Sequence, residues 1–317
     1  MAAACGLDRL IGDPRWSLHP VQVMGVAIAA LRRAVEGIAG DRPWALRCGG
    51  GVITLLLVGG SGLAGWGLEQ LSRAQAWAAP LLVLGLASAL AGRSLRQAVE
   101  QVLQPLAATP PQLELARKRL AWIVGRDVAG LPAPELLRAA AETASENAVD
   151  GFFAPLFWML LGALLCSINP ALPGPLALAW GFKASSTLDS MLGYRRGRLR
   201  WLGTAGARLD DALTWLPCRL LALSLGTLAP ALRDGASDPS PNAGVSQAAY
   251  AHAVGVQLGG LNRYQGEERA KPLLNAGAPA VSMAATEAML NSTRRVALLW
   301  LLSTGLMALM ARWLLIQ

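Results

Sequence analysis

Glu142, Glu146 and Asp150 follow one another at intervals of four in Glu142-Thr-Ala-Ser-Glu-Asn-Ala-Val-Asp-Gly151, a stretch with no lysine or arginine of its own. On a helix this spacing makes one acidic stripe, with Asn147 beside it. Carboxylates crowded without a counter-charge point to a divalent cation or a substrate amine; a solvated helix face is the plainer alternative. A second group is Lys183-Ala-Ser-Ser-Thr-Leu-Asp-Ser-Met-Leu-Gly-Tyr194-Arg195. Its hydroxyls and Asp189 suit magnesium through oxygen ligands, and Lys183 and Arg195 suit phosphate. Helix capping by Ser185, Ser186 and Thr187 is the structural alternative. In Arg208-Leu-Asp-Asp211 the adjacent Asp210 and Asp211 point about 100° apart on a helix, so one faces a site while the other caps or pairs with Arg208. Asp238-Pro-Ser-Pro-Asn-Ala-Gly244 reads as a rigid turn presenting Ser240 and Asn242. Leu258-Gly-Gly-Leu-Asn-Arg-Tyr-Gln-Gly266 reads as a glycine-flanked loop, carrying Asn262 and Tyr264, whose backbone could approach a ligand closely.

The elements that must hold these groups are apolar. The chain has 317 residues, 54% of them hydrophobic and only 15% charged, with a mean hydropathy of +0.40. Soluble domains carry about 25% charged residues, so the composition predicts an all-α, polytopic helical membrane protein, a single integral membrane domain over 1–317. The net charge of +8 sits in loops flanking apolar runs, which is the positive-inside pattern. No nucleic-acid-binding signature is present, and nucleic acid is not expected as a partner. Candidate spans are 49–67, 75–92, 152–180, 212–232 and 296–315. The third exceeds the roughly 20 residues of one crossing and is broken at Asn169-Pro170 and Pro173-Gly174-Pro175, so it reads as a helical hairpin. Pro217 and Arg219 weaken 212–232, which reads as re-entrant or interfacial. The basic loops before the first span, after the second and after the hairpin are expected in the cytoplasm, and the connection around Glu69 to Arg73 outside. Loop 93–151 reads as helical, with a break at Leu106–Pro111 and helices at Gln112–Val124 and Pro132–Ala148.

Smaller features have structural readings. Gly49-Gly-Gly51 and Gly59-Gly-Ser-Gly62 suit close helix packing in lipid rather than a phosphate loop, since no Lys-Ser/Thr ending follows. Cys5, Cys48, Cys166 and Cys218 form no CxxC pair and read as reduced thiols. His19 and His252 are the only histidines, which excludes a His-rich metal site. His19 before Pro20 reads as a turn residue, and Asp13-Pro14 as a turn initiator. Met1 to Leu10, with Asp8 and Arg9, does not have the form of a secretory leader.

Taken in order, these motifs resemble those of the adenosylcobinamide-phosphate synthase family, integral membrane proteins of cobalamin biosynthesis. The matching pieces are Gly12-Asp-Pro14 with His19-Pro20, Gly125-Arg-Asp127, Glu142 to Gly151 followed by Ala154-Pro-Leu-Phe-Trp158, Thr187-Leu-Asp-Ser-Met-Leu-Gly-Tyr194, Arg208-Leu-Asp-Asp211, Pro239-Ser-Pro-Asn-Ala-Gly244, and Leu258-Gly-Gly260 with Asn262 and Tyr264. They span almost the whole chain. Ser186 and Thr214 stand where the family often has asparagine.

The resemblance implies amide formation between adenosylcobyric acid and aminopropanol, as its O-phosphate, with ATP as co-substrate and Mg²⁺ as cofactor. ATP would convert a carboxylate into an acyl phosphate open to attack by an amine. On this reading Glu146, Asn147, Asp150, Lys183 and Asp189 form the catalytic set. Glu146, Asp150, Asp189 and Asp210 are the metal or amine ligands, and Lys183, Arg195 and Arg208 are phosphate partners. Asn147, Asn242 and Asn262 are placed to bond corrin amides, and Tyr194, Ser240 and Tyr264 complete the binding set. No Walker A motif locates the ATP. The implied setting is the bacterial inner membrane, with a cytoplasm-facing site and other cobalamin-assembly enzymes as partners. The competing class is a corrinoid-binding or transporting membrane protein without ligase activity. A transporter would place ionisable residues mid-bilayer on paired repeats, whereas here they cluster at span ends without duplication.

Overall fold

A computed structural model describes residues 1–10, 12 and 19–314, with side chains as far as Leu306. Asp13-Pro14 lies outside the described residues. The elements in order are α1 (Ala2–Leu10), α2 (Pro20–Ala39), α3 (Pro43–Ala74), α4 (Ala79–Ala87), α5 (Gly92–Ala107), α6 (Leu113–Leu120), α7 (Ala133–Ala148), α8 (Ala154–Ile168), α9 (Pro175–Leu192), α10 (Leu199–Leu202), α11 (Thr204–Ser224), α12 (Leu228–Gly235), α13 (Ala243–Val254), β1 (Leu258–Tyr264), β2 (Glu267–Leu274) and α14 (Met283–Leu314). Among the described residues three helical stretches are long and apolar enough to cross a membrane: Pro43–Ala74, Ala76–Ala107 and Ala133–Ile168. The protein is a helical, polytopic membrane protein, as its composition requires. The first stretch contains the expected span 49–67, and the second takes in the expected span 75–92 from Ala76 onward, interrupted between α4 and α5. The expected span 296–315 lies on α14 as far as Leu314, the last described residue. The segment 212–232 is not one helix, because α11 ends at Ser224 and α12 begins at Leu228.

The chain divides into two compact units, Met1–Arg93 with Asp150–Thr214, and Ser94–Val149 with Trp215–Gln317. The single domain expected over 1–317 therefore has two cores. In the first unit Met24 and Ile28 of α2, Ile53 and Leu57 of α3, Leu188 and Leu192 of α9 and Leu202 of α10 are buried together. Glycine makes this packing close. A Cβ on Gly50 would stand 1.9 Å from the Leu202 carbonyl oxygen, and one on Gly65 would stand 2.8 Å from that of Leu176. The small-residue reading of the first span holds at these positions, while Gly59 and Gly60 have open space around them.

The break at 169–174 separates α8 from α9 as a helical hairpin. Its turn is held by the end of α3. Glu69, 2% exposed, accepts the N–H groups of Gly174 at 2.9 Å, Leu176 at 2.6 Å and Ala177 at 3.2 Å. A carboxylate thus satisfies three of the orphan donors at the N-terminus of α9 and meets its dipole. Arg73 donates to the Pro170 carbonyl and the Cys166 sulfur. Glu69 to Arg73 is consequently the last part of α3, not a connection between spans. All four cysteines are free thiols.

In the second unit Val99, Val102 and Leu106 of α5, Ala116 and Leu120 of α6, Leu136 and Ala140 of α7 and Leu290 of α14 form the core. The helix expected from Gln112 forms over Leu113–Leu120, and the helix expected over Pro132–Ala148 is α7. Among the described residues the one sheet in this helical chain is two-stranded and antiparallel, β1 against β2. The glycine-flanked loop expected at 258–266 is its first strand and turn. Gln265 and Gly266 both take positive φ, 54° and 82°, which is the backbone of a two-residue type I′ hairpin turn. Gln-Gly is an uncommon pair for that turn, so the local signal was weak.

Replacing Glu69 by alanine removes one acceptor from three N–H groups in a water-poor setting and should cost about 2 kcal/mol. Thermal unfolding in detergent should show the loss, with Glu69→Gln recovering part of it; an unchanged midpoint in Glu69→Ala would deny Glu69 this role.

Candidate functional site

Each unit carries its own polar centre. α7 runs into α8 through a π-helical turn, Val149–Phe153. A π turn holds more than the α-helix's residues per turn, so the four-residue stripe expected from Glu142 through Asp150 loses its register there. Glu142 and Glu146 belong to the second unit and Asp150 to the first.

In the first unit the centre is Asp210 on α11. α11 meets α9 where a Cβ on Gly206 would lie 3.0 Å from the Leu188 side chain. Asp210 is 9% exposed, and its Oδ1 is buried without a hydrogen-bond partner. Burial, then the negative fields of Asp150, Asp189 and Asp211, push its carboxyl up to about 8, against some relief from Lys183. Three further sequence-derived residues, Asp150, Lys183 and Asp189, are thereby within electrostatic reach of Asp210. Thr214, one turn along α11 from Asp210, and Ser185 on α9 also bury hydroxyls without partners. The other hydroxyls are internal to α9 rather than caps: Thr187 donates to the Lys183 carbonyl at 2.6 Å and Ser190 to that of Ser186 at 2.9 Å. The glycine of the Thr-Leu-Asp-Ser-Met-Leu-Gly run has a steric purpose. A Cβ on Gly193 would sit 2.1 Å from Oδ1 of Asp189, so only glycine leaves that carboxylate its position. Tyr194, Arg195 and Arg208 are exposed, and the Arg196 guanidinium lies 5.1 Å over the Tyr194 ring. Asp211 is half-buried.

Among the described residues no three His, Cys, Asp or Glu side chains converge as a metal cage. The four-carboxylate set Glu146, Asp150, Asp189 and Asp210 is therefore not a preformed ion site. Magnesium does not need one; it binds through one or two carboxylates and keeps water or substrate phosphate for the rest. The unpartnered buried oxygen of Asp210, in a field of three further carboxylates, fits that demand.

In the second unit Glu142, 1% exposed, is enclosed by donors. Arg126 pairs with its Oε2, Arg138 Nη1 donates to Oε1 at 2.8 Å, and the Gly259 N–H donates to Oε1 at 2.9 Å. Both arginines also donate to Oδ1 of Asn262, at 2.7 and 3.0 Å, and Arg138 reaches the Gly259 and Leu261 carbonyls. The expected uncompensated carboxylate is thus doubly paired, by arginines from outside its own segment, and its work is to pin β1 to α7. Asp127 completes this by accepting the Gln265 and Gly266 N–H groups of the hairpin turn at 3.2 and 2.8 Å. Arg126, Arg138 and Asp127 were not in the sequence-derived site; only Gly125-Arg-Asp127 in the family pattern marked two of them.

Glu146 has a different environment. It accepts from the Gln247 side-chain amide at 2.7 Å, and Gln247 keeps a buried Oε1 without a partner. Lys271 on β2 stands 3.4 Å from Asp238. Burial works against its charge, but the carboxylates of Glu146 and Asp238 outweigh that and hold its pKa above the ordinary value. Gln247 and Lys271 are further residues that sequence reading missed, since neither lies in a chemically distinctive run. Asn147 is exposed and bonds the Thr143 carbonyl of its own helix at 3.0 Å. The turn at Asp238–Asn242 forms as expected, but its polar groups are used within it and by Arg219 of α11. Ser240 Oγ accepts the Asn242 and Ala243 N–H groups, and Asn242 Oδ1 accepts from Arg219 at 2.6 Å. Tyr264 is half-buried, with the Arg269 guanidinium 5.8 Å over its ring. His19 accepts the Val21 N–H as N-cap of α2, the turn role expected of it.

The family model described as CobD/Cbib protein matches residues 1–293. The chain belongs to the CobD/Cbib protein family. Among its relatives, "Cobalamin biosynthesis protein CobD" of Synechocystis is 41% identical, over 96% of this chain and 90% of that protein. "Cobalamin biosynthesis protein CbiB" of Salmonella typhi is 39% identical, over 96% and 93%. "Cobalamin biosynthesis protein CobD" of Klebsiella pneumoniae is 40% identical, over the same shares. No solved structure matches the chain. Membership in the CobD/Cbib family covers both units, so both centres lie within the matched length.

Two outcomes are expected from this geometry. Asp210 has a folded pKa raised from 3.8 to about 8, so the folded state holds its proton where the unfolded state has lost it. Its contribution is greatest at acid pH and is lost as pH rises from about 4 to 8. With metal chelated, thermal unfolding of the wild type should therefore fall more steeply across that window than unfolding of Asp210→Asn; parallel curves would refute the shift. Separately, Arg126→Ala leaves a buried carboxylate half-paired and should cost about 3 kcal/mol. Hydrogen exchange should then speed up selectively at 259–266, and uniform exchange along the chain would show that the pair does not hold the hairpin.

Proposed function

We propose that this protein is an enzyme of cobalamin biosynthesis that joins adenosylcobyric acid to aminopropanol, as its O-phosphate, through an amide bond at the expense of ATP. The relatives named as cobalamin biosynthesis proteins support the pathway. The observation that carries the chemistry is the buried, unpartnered Oδ1 of Asp210 beside Asp150, Asp189 and Lys183. A carboxylate substrate is a poor acylating agent because its leaving oxygen is poor. Transfer of the γ-phosphoryl of ATP to that oxygen gives an acyl phosphate and ADP. Attack by the neutral amine on the acyl carbon, loss of inorganic phosphate and loss of one amine proton then give the amide.

The residues divide the labour by charge. Asp210, with Asp189 or Asp150, would hold Mg²⁺, which when bound screens the phosphate oxygens from one another. Lys183 is the cation of that centre and is suited to a phosphate oxygen. Asp150 or Asp189, whichever does not hold the metal, is an acceptor for the amine proton. The reading places the protein in the bacterial inner membrane with its chemistry facing the cytoplasm, where nucleotide and corrinoid are found.

The purified protein in detergent, given adenosylcobyric acid, aminopropanol phosphate, ATP and Mg²⁺, should yield the amide with ADP and phosphate, read by product mass. Asp210→Asn should lower the rate by about 100-fold or more while staying folded, with an unfolding temperature near neutral pH no lower than that of the wild type. Uptake of corrinoid into proteoliposomes with no change in mass would overturn the ligase reading.

A further inference from the structure

A cavity of about 650 Å³ opens in the second unit beside the hairpin. That is within the usual range for a small-molecule site. Its walls come from the segment before α7, the first turns of α7, β1 and the loop after β2, and they include Arg126, Glu135, Arg138, Leu261, Asn262 and Ala280. None of the roles assigned above to Asp150, Lys183, Asp189 or Asp210 involves it.

The cations of this wall are already matched. Arg126 pairs with Glu142, Arg138 with Glu142 and Glu135, and Arg263 with Glu268. A triphosphate would find no cation here that is not already engaged by a carboxylate. Asn262 is 4% exposed, and its amide is oriented by chemistry. Oδ1 accepts from both arginines, so Nδ2 is the end left over, and it is buried without a partner. A buried N–H donor without an acceptor has lost its hydration and gained nothing in exchange, a loss that a ligand carbonyl would recover. Opposite in sense, both Arg138 bonds to Glu135 fall on Oε2, leaving Oε1 as an acceptor. Leu261 and Leu273, about half exposed, line the same cavity and add apolar surface.

We propose that this cavity binds a neutral ligand through a primary carboxamide, its C=O taking the Asn262 N–H and its NH₂ bonding Glu135, with the rest of the ligand on the leucines. The identity of the carrier rests on the function proposed above: the corrinoid substrate bears several carboxamides on an apolar ring edge, and this is the subsite for one of them. ATP does not fit, because its charge has no free counterpart in the wall.

The test uses the full chain in nanodiscs, with cobyric acid and ATP binding measured by calorimetry and amide product by mass. Ala280→Trp, an exposed position on the loop after β2, fills the cavity from its rim. Asn262→Asp, which turns the donor into a carboxylate, is a second variant. Ala280→Trp should weaken cobyric acid at least tenfold and leave ATP unchanged, with its unfolding temperature retained. Asn262→Asp should weaken cobyric acid in the same way, and its unfolding temperature separates a lost donor from a lost fold. Wild-type product formation with unchanged cobyric acid affinity in Ala280→Trp would overturn the cavity assignment and leave the function standing. ATP weakened in place of cobyric acid would overturn it as well. Cobyric acid bound and weakened by Ala280→Trp, with no product from the wild type, would support the subsite and remove the ligase reading. Neither ligand bound and no product formed would remove both.

Discussion

A carboxylate taken out of water must find donors, a cation or a proton, and this protein meets that constraint in three ways. Glu69 takes the first route, gathering three N–H groups at the start of α9. Glu142 takes the second, between Arg126 and Arg138. Asp210 takes the third, with a carboxyl pushed up to about 8 among like charges. The first two solutions are complete for the carboxylate itself, since both oxygens of Glu69 and of Glu142 are bonded, and they act as structural fasteners. The third is incomplete by design of its surroundings, and an incomplete buried site is where a ligand has something to contribute.

This distinction separates motifs that look alike in the chain. Glu142 and Glu146 are one helical turn apart. One is sealed by guanidinium groups and ties the hairpin to α7, while the other keeps a single amide bond beside a lysine that stays charged. The same holds for the amides. Asn242 and Ser240 serve the turn that starts α13, whereas Asn262 has one end fixed and the other unmatched. Residue type alone does not tell fastener from site; the count of satisfied bonds does.

The family pattern was legible because its motifs recur in order along nearly the whole chain, and the match over 1–293 agrees with that reading. The helical membrane class was legible because composition sets it: a chain with so few charges must bury its backbone in helices. The hairpin at 258–274 was not legible. Its strands are held by Asp127 and the Glu142 network, more than a hundred residues away in sequence, and no local pattern carries that information. The acidic stripe was half legible. Its helix and its spacing were present in the sequence, but the π turn at 149–153 broke the register.

The sequence by itself determined the first two apolar spans, the break at Asn169–Pro175, the free thiols and the family. Each depends on local composition or on order along the chain. Only the tertiary structure decided which carboxylate is neutralised, which amide keeps an open valence and where a cavity remains. Those outcomes depend on which distant side chain arrives at 3 Å, and electrostatics at that range is decided by contact rather than by residue type.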